Sequence, residues 1–150
     1  MTKRIALCAV AVLAALTVGP LGAARAEGLD PIAARQAAFS LNNGNFAFIR
    51  SVVQAKGDVK PLEVPAKAIA KWAAVIPTMF PKGSEQGGDT KALPEIWSDS
   101  AGFQKAAMRL GEAATKLATD AKAGDAAAVA ADTKALGEAC GACHKAFRAK

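Results

Sequence analysis

Cys140, Gly141, Ala142, Cys143 and His144 read C-x-x-C-H near the C-terminal end of a 150-residue chain. Two thiols three residues apart, followed at once by an imidazole, have the spacing of covalent c-type haem attachment. Each sulfur adds across a porphyrin vinyl group, and the imidazole ligates the iron through a neutral nitrogen. The chain holds a single histidine, so it cannot offer two imidazoles to one iron. Two other chemistries use the same residues. Cys140 and Cys143 could form a structural or redox disulfide. A thioredoxin-type C-x-x-C, however, sits beside a strand at a helix start, and no strand pattern is visible. A structural zinc site takes four ligands. This motif offers three, and the one other cysteine is Cys8.

The elements that must position this motif read as helices throughout. The first starts at Asp30-Pro31, an N-cap followed by proline at the first helical position. It carries Ile32, Phe39, Phe46 and Val53 at seven-residue steps, one buried stripe, and ends at Gly57-Asp58. The second begins near Val64-Pro65, places Ile69, Trp72 and Ile76 on one face, and is broken or closed by Pro77. Residues 81–93 hold glycines and polar residues without periodicity and form the one long connection. The third helix is expected from about Pro94 to Ala121, with Ile96, Phe103, Leu110 and Leu117 on its stripe. Gly124 then serves as C′ residue and Asp125 as the next N-cap. The fourth runs from about Ala126 to Ala149, with Leu136, Cys140, Cys143 and Phe147 spaced four, three and four apart. The cysteines thus fall on its core-facing stripe. Four amphipathic helices with short first and last connections make an all-α protein, an antiparallel four-helix bundle. Such bundles hold cofactors between facing helices.

Residues 1–26 read as a secretory signal: Lys3 and Arg4, an apolar run from Ile5 to Val18, and Ala24-Arg25-Ala26 as the cleavage site. The alternative is a retained N-terminal anchor. Residues 27–150 then form the mature haem domain, placed in the periplasm with no membrane attachment once the signal is cut. The formal net charge of +6 falls to +3 without Lys3, Arg4 and Arg25, and no cluster of basic and aromatic residues suggests nucleic-acid binding. The two remaining cysteines both lie in the motif, so the cross-link to a single haem c replaces a disulfide framework.

The placement of C-x-x-C-H at the end of a four-helix chain resembles the class II c-type cytochromes, specifically the cytochrome c′ family. The resemblance spans the mature chain. It rests on Cys140-Gly141-Ala142-Cys143-His144-Lys145-Ala146-Phe147-Arg148, on Gly87-Gly88-Asp89 followed by Pro94-Glu95-Ile96-Trp97, and on Arg35-Gln36-Ala37-Ala38-Phe39. It implies that Phe39 covers the distal haem face. Phenylalanine has no lone pair suited to iron, so the implied iron is five-coordinate and high-spin, ligated by His144. Packing in the core away from the haem is the bland role for Phe39. Met79 and Met108 are the sulfurs that could complete a sixth coordination position; otherwise they are apolar filling. The resemblance places Arg148 beside the proximal imidazole, against the alternative of a solvated charge at a helix end. Arg35 and Gln36 are candidates to hold the haem propionates, since guanidinium pairs well with carboxylate; the alternative for either is a plain surface role.

The function implied is binding of nitric oxide and carbon monoxide, with a ferric/ferrous couple. The alternative is a six-coordinate, low-spin electron carrier serving an unidentified periplasmic redox partner. Enzymatic chemistry of the peroxidase kind needs distal acid–base residues, and the first helix has no histidine, so no catalytic residues are expected. A homodimer is common in the family, through the first two helices. Ala33, Ala37, Ala66, Ala70 and Ala73 are expected on their exposed faces, small enough for close approach.

Overall fold

The structure is a computed structural model that describes residues 30–150; the secretory segment expected over residues 1–26 lies outside them. Among the described residues no helix is long and apolar enough to cross a membrane. Helix α1 spans Pro31–Gln54, and the Asp30 carboxylate accepts the Ile32 N–H at 2.9 Å. It ends in a Schellman turn: the Gly57 N–H reaches the Val52 carbonyl at 3.0 Å and the Lys56 N–H that of Val53 at 3.1 Å. The left-handed residue of this turn is Lys56, φ +53°, one before the glycine that marks the end in the sequence.

The second helix starts earlier than the Val64-Pro65 signal. A 3₁₀ turn, Lys60–Leu62, leads into α2, Glu63–Val75, and a second 3₁₀ turn, Ile76–Met79, follows. Asp58 accepts the Lys60 N–H at 3.0 Å, so an Asp-x-Lys-Pro entry does the capping. Pro77 does not stop the chain abruptly; it sits in the tighter 3₁₀ turn. The third expected helix is two. Helix α3, Glu95–Ser98, is a single turn, and α4, Ser100–Ala123, is separate. The break is at Asp99, which leaves helical backbone geometry (φ −117°, ψ 57°) and whose side chain caps α4 by accepting the Gly102 N–H at 3.0 Å. Helix α5 spans Ala126–Phe147, capped by Asp125 on the Ala128 N–H at 2.9 Å after Gly124 in left-handed conformation, φ +78°. It stops two residues short of the Ala149 expected, because Arg148 turns extended and pairs with Ala92 in an isolated antiparallel bridge.

The result is an all-α, antiparallel four-helix bundle in which α4 is the central packing element. Phe103, Ala107, Leu110, Ala114, Leu117 and Ala121 face inward from it. Leu62, Ala66, Ile69, Ala73 and Ile76 of the second helical segment pack on one side, and Val129 and Leu136 of α5 on the other. Ala66 and Ala73 are therefore buried against α4, not on a free face; the two helices cross closely at Gly111, where a β-carbon would stand in contact with that of Ala73 at 3.4 Å. On α5 one carboxylate is buried as well. Asp132 meets the Lys116 ammonium at 2.9 Å, and the same ammonium holds Asp120 at 2.7 Å.

Helix α1 is different. It packs mainly on α2 and meets α5 over few residues. Of its seven-residue stripe Ile32 is buried, while Phe39, Phe46 and Val53 are only half-buried. Ile49 of α1 is fully buried in the core, but the half-buried Phe39 and Phe46 stand at its edge, on a less closed seam where α1 meets α5.

Leu62 is fully buried at the end of the bundle away from the cysteines. Leu62→Ala should lower unfolding free energy by about 3 kcal/mol, the usual cost of a core cavity. Chemical denaturation should read this loss while the absorption spectrum of the native protein stays that of the parent.

Candidate functional site

The C-x-x-C-H motif lies in the last two turns of α5. Cys140 and Cys143 are half-buried with free thiols, and His144 is exposed. The three-residue spacing puts both sulfurs on the face of α5 that packs on the core, and His144 sits four residues after Cys140, on the same side. Burial pushes both thiols above their ordinary range, and for Cys143 the neighbouring Cys140 adds to it. They are kept as neutral S–H groups, the form in which a thiol adds its sulfur and hydrogen across a vinyl double bond. At His144 the shift is downward, from partial burial first and then from the Arg148 charge. The imidazole is thereby held neutral, with a lone pair free for a metal. Among the described residues no cluster of three or more His, Cys, Asp or Glu side chains has metal-binding geometry.

Across the seam, Phe39 of α1 meets Trp72 of α2 edge to face, ring centres 5.5 Å apart. Phe46 lies against Gly137 of α5, one turn before Cys140; a β-carbon at 137 would be 3.3 Å from its Cζ. Phe39, Phe46, Trp72, Ala139, Cys140 and Cys143 all pack on the edge of the same core as half-buried groups. The Trp72 indole N–H is buried without an acceptor, a donor in need of a partner beside Phe39. An apolar seam with two vinyl-reactive thiols, one neutral imidazole and an orphaned donor fits a haem, a flat apolar ring system with polar propionate edges.

Behind the motif, aromatic rings fix the end of α5. Phe147 contacts Phe103 at 5.2 Å, Phe103 contacts Phe80 at 5.0 Å, and Phe80 contacts Trp97 at 6.0 Å between ring centres. The Trp97 indole donates to the Phe80 carbonyl at 3.0 Å. Sequence periodicity missed Phe80 and Gly137 entirely; the aromatic spacing of Phe103 and Phe147 was visible, but not that a loop residue joins them.

Arg148 lies just past the helix, its N–H still bonded to the His144 carbonyl at 3.1 Å. With His144, Gly141, Lys145, Ala149 and Lys150 it borders an open cleft of about 370 Å³. Arg35 and Gln36 are both engaged with the 80–93 loop. Arg35 is only 2% exposed, and its guanidinium donates to the Met79 carbonyl at 3.3 Å, the Ser84 hydroxyl and carbonyl at 2.8 and 2.7 Å, and the Thr90 hydroxyl at 2.9 Å. Burial lowers its pKa, opposed by the charges of Asp30 and Glu85. The Gln36 amide donates to the Gly88 carbonyl at 2.8 Å. Met108 stands 60% exposed, in the outer groove between α2 and α4 with Ala70, Ala74 and Pro77, so it belongs to a different face from the motif.

A profile of the family described as cytochrome c′ matches residues 30–148. The chain belongs to the cytochrome c′ family. Cytochrome c′ of Rhodospirillum rubrum is 36% identical over 147 residues, which is 93% of this chain and 95% of that protein. A solved cytochrome c′ with ligand-controlled dimer dissociation superposes with a TM-score of 0.75 at 29% identity, over 81% of this chain and 95% of its own. The nitric oxide complex of a leucine-to-alanine mutant of cytochrome c′ from Alcaligenes xylosoxidans gives 0.72 at 31% identity, over 81% and 94%. This member of the cytochrome c′ family is therefore a haem protein of the c type, built as a four-helix bundle.

Before haem attachment, native His144 binds fewer protons than in the unfolded chain, between its lowered midpoint and the ordinary value of about 6.5. Stability rises with pH across that window and is lost as pH falls through it. Arg148→Ala removes the second cause of the lowering, so an NMR titration of the haem-free protein should place the His144 midpoint higher than in the parent. An unmoved midpoint would show that the guanidinium is not felt at the ring.

Proposed function

We propose that this protein is a periplasmic cytochrome c′ whose haem, joined covalently to Cys140 and Cys143, is ligated by His144 alone and binds nitric oxide and carbon monoxide at the opposite face. The observation that carries this reading is Phe39. It stands on the helix across the seam from the motif, braced edge-on by Trp72, and has no atom able to ligate iron. When bound, the haem supplies an iron centre that takes small diatomic ligands and cycles between ferric and ferrous states.

The chain's own residues do the rest. His144 supplies the proximal nitrogen, and Arg148 places a positive charge beside it. With the Trp72 indole N–H given to a propionate, Phe39 leaves the distal side apolar, which disfavours stable oxygen carriage. The Trp72 indole, Gln36 and the charge of Arg35 serve the propionates; the Arg35 fork itself is committed to the loop. The role is ligand binding and redox cycling without catalysis, because α1 holds no histidine to act as distal acid or base.

Homodimer formation belongs to the same reading. Ala33, Ala37, Leu41, Gly44 and Phe48 are exposed along one stripe of α1, with Leu41 74% exposed, an apolar face suited to a second copy. One observation favours electron transfer as a second role. His144 is exposed at a cleft bordered by Lys145, Arg148 and Lys150, which would leave a haem edge open to an acidic redox partner.

Optical and electron paramagnetic resonance spectra of the holo-protein test the assignment. High-spin ferric and ferrous spectra that change on adding nitric oxide are expected. Low-spin spectra indifferent to the gas would make the protein a six-coordinate electron carrier and would remove Phe39 from the distal site. Within the ligand-binding reading, Phe39→Ala should speed carbon monoxide association with the ferrous protein by about tenfold or more, the equivalent of about 1.4 kcal/mol of steric barrier; an unchanged rate refutes the distal role.

A further inference from the structure

The loop between the second and third helical segments is fastened at both ends of the seam. On the α1 side, Arg35 holds it with four hydrogen bonds, to Met79, twice to Ser84, and to Thr90, and the Phe80 ring covers the guanidinium at 4.4 Å. Ser84 is as buried as Arg35, at 2% exposure; its hydroxyl donates to the Pro81 carbonyl at 2.8 Å while accepting from Arg35. Gly88, φ +50°, rests so close to α1 that a β-carbon would lie 3.0 Å from Ile32. On the α5 side the attachment is backbone only. The Ala149 N–H donates to the Lys91 carbonyl at 2.8 Å, and the Leu93 N–H to the Phe147 carbonyl at 3.1 Å. These two bonds flank Arg148.

Thr90 joins the two attachments. Its hydroxyl oxygen accepts from Arg35 and also from the Ala92 N–H at 3.2 Å, and Ala92 is the residue bridged to Arg148. The path from the α1 guanidinium to the backbone beside the proximal cleft is thus one side-chain oxygen and three residues of chain. Arg35 stands four residues before Phe39 and Arg148 four after His144.

We propose that Arg35, Ser84 and Thr90 form a clasp that makes the loop a strap from the distal helix to the proximal end of α5, so that they act as positioning residues for Arg148 and His144. The proposal rests on the reading that haem lies in the seam between α1 and α5. A buried guanidinium satisfied by neutral loop oxygens is worth more than an exposed ion pair, because each oxygen removed leaves a charged donor unpaired in a low-dielectric site. The strap therefore behaves as one unit: loosening its first half loosens the two backbone bonds that hold residues 147–149. Distal and proximal sides are coupled through protein and not only through the iron.

The test uses holo-protein carrying Thr90→Val, Ser84→Ala, both together, or Thr90→Ser. Two quantities are read: amide hydrogen exchange at Leu93 and Ala149, and the iron–histidine stretching band of the ferrous protein by resonance Raman spectroscopy. Thr90→Val and Ser84→Ala should each speed exchange at both amides by about tenfold, the loss of one charged hydrogen bond from a locally opening unit, and should shift the band. Thr90→Ser keeps the hydroxyl and should restore both. Exchange at Leu93 and Ala149 that stays at the parent rate in the double variant overturns the clasp. Faster exchange with a band that does not move overturns the coupling to His144. If the parent shows no such band because its iron is six-coordinate, the functional reading above fails, the proximal effect on His144 is overturned with it, and the exchange rates alone decide the clasp.

Discussion

Holding in place the one turn of helix that carries Cys140, Cys143 and His144 is the demand that organises the molecule. Cys140, Cys143 and His144 hold their mutual geometry only while the end of α5 stays helical and fixed in place. Yet α5 must also be uncovered on the side where a large flat cofactor meets it. The bundle meets both needs by packing α5 asymmetrically. Val129, Leu136 and Phe147 anchor it on α4 and the aromatic run through Phe103 and Phe80. Opposite, α1 touches it sparingly, through contacts such as Phe46 against Gly137. The half-burial of Phe39, Phe46 and both cysteines follows from that division.

Two ionised side chains are buried in this framework, and they are accommodated differently. Asp132 is paired with a lysine that reaches in from solvent. Its carboxyl is nonetheless pushed up, by burial first, with Lys116 opposing; one of its oxygens has no hydrogen-bond partner. A partly satisfied pair of this kind contributes little net stability and fixes the register of α5 on α4. Among the described residues no carboxylate stands at hydrogen-bond distance from Arg35; it is satisfied by hydroxyls and carbonyls of a loop. Its guanidinium gathers the Met79, Ser84 and Thr90 oxygens of that glycine-rich connection onto α1.

Elements whose signals are local were legible in the sequence. Asp30-Pro31, Gly124 and Asp125 mark helix ends through their own backbone and capping chemistry, and C-x-x-C-H announced the cofactor outright. The expectations that failed depend on contacts distant in the chain. Heptad spacing carried the third helix through Asp99, because Ile96 fits the stripe of α4 although it sits in a separate turn. The last helix was drawn to Ala149 because pairing of Arg148 with Ala92 leaves no trace in periodicity. Ala66 and Ala73 read as free small residues, since alanine is equally at home on a surface and in a close helix crossing. Of the candidate site, Cys140, Cys143, His144 and Phe39 could be singled out beforehand as candidates. The loop oxygens around Arg35 could not, because a buried arginine and an exposed one look alike until the partner is known.

The near contact between Phe46 and Gly137 ties two positions ninety-one residues apart. A methyl group at 137 and a phenyl ring at 46 compete for the same few ångströms. Among descendants of this chain the two sites do not drift independently: a side chain at 137 requires the ring at 46 to give by a few tenths of an ångström, or to shrink. The separation of α1 and α5 is in this sense inherited as a pair of residues.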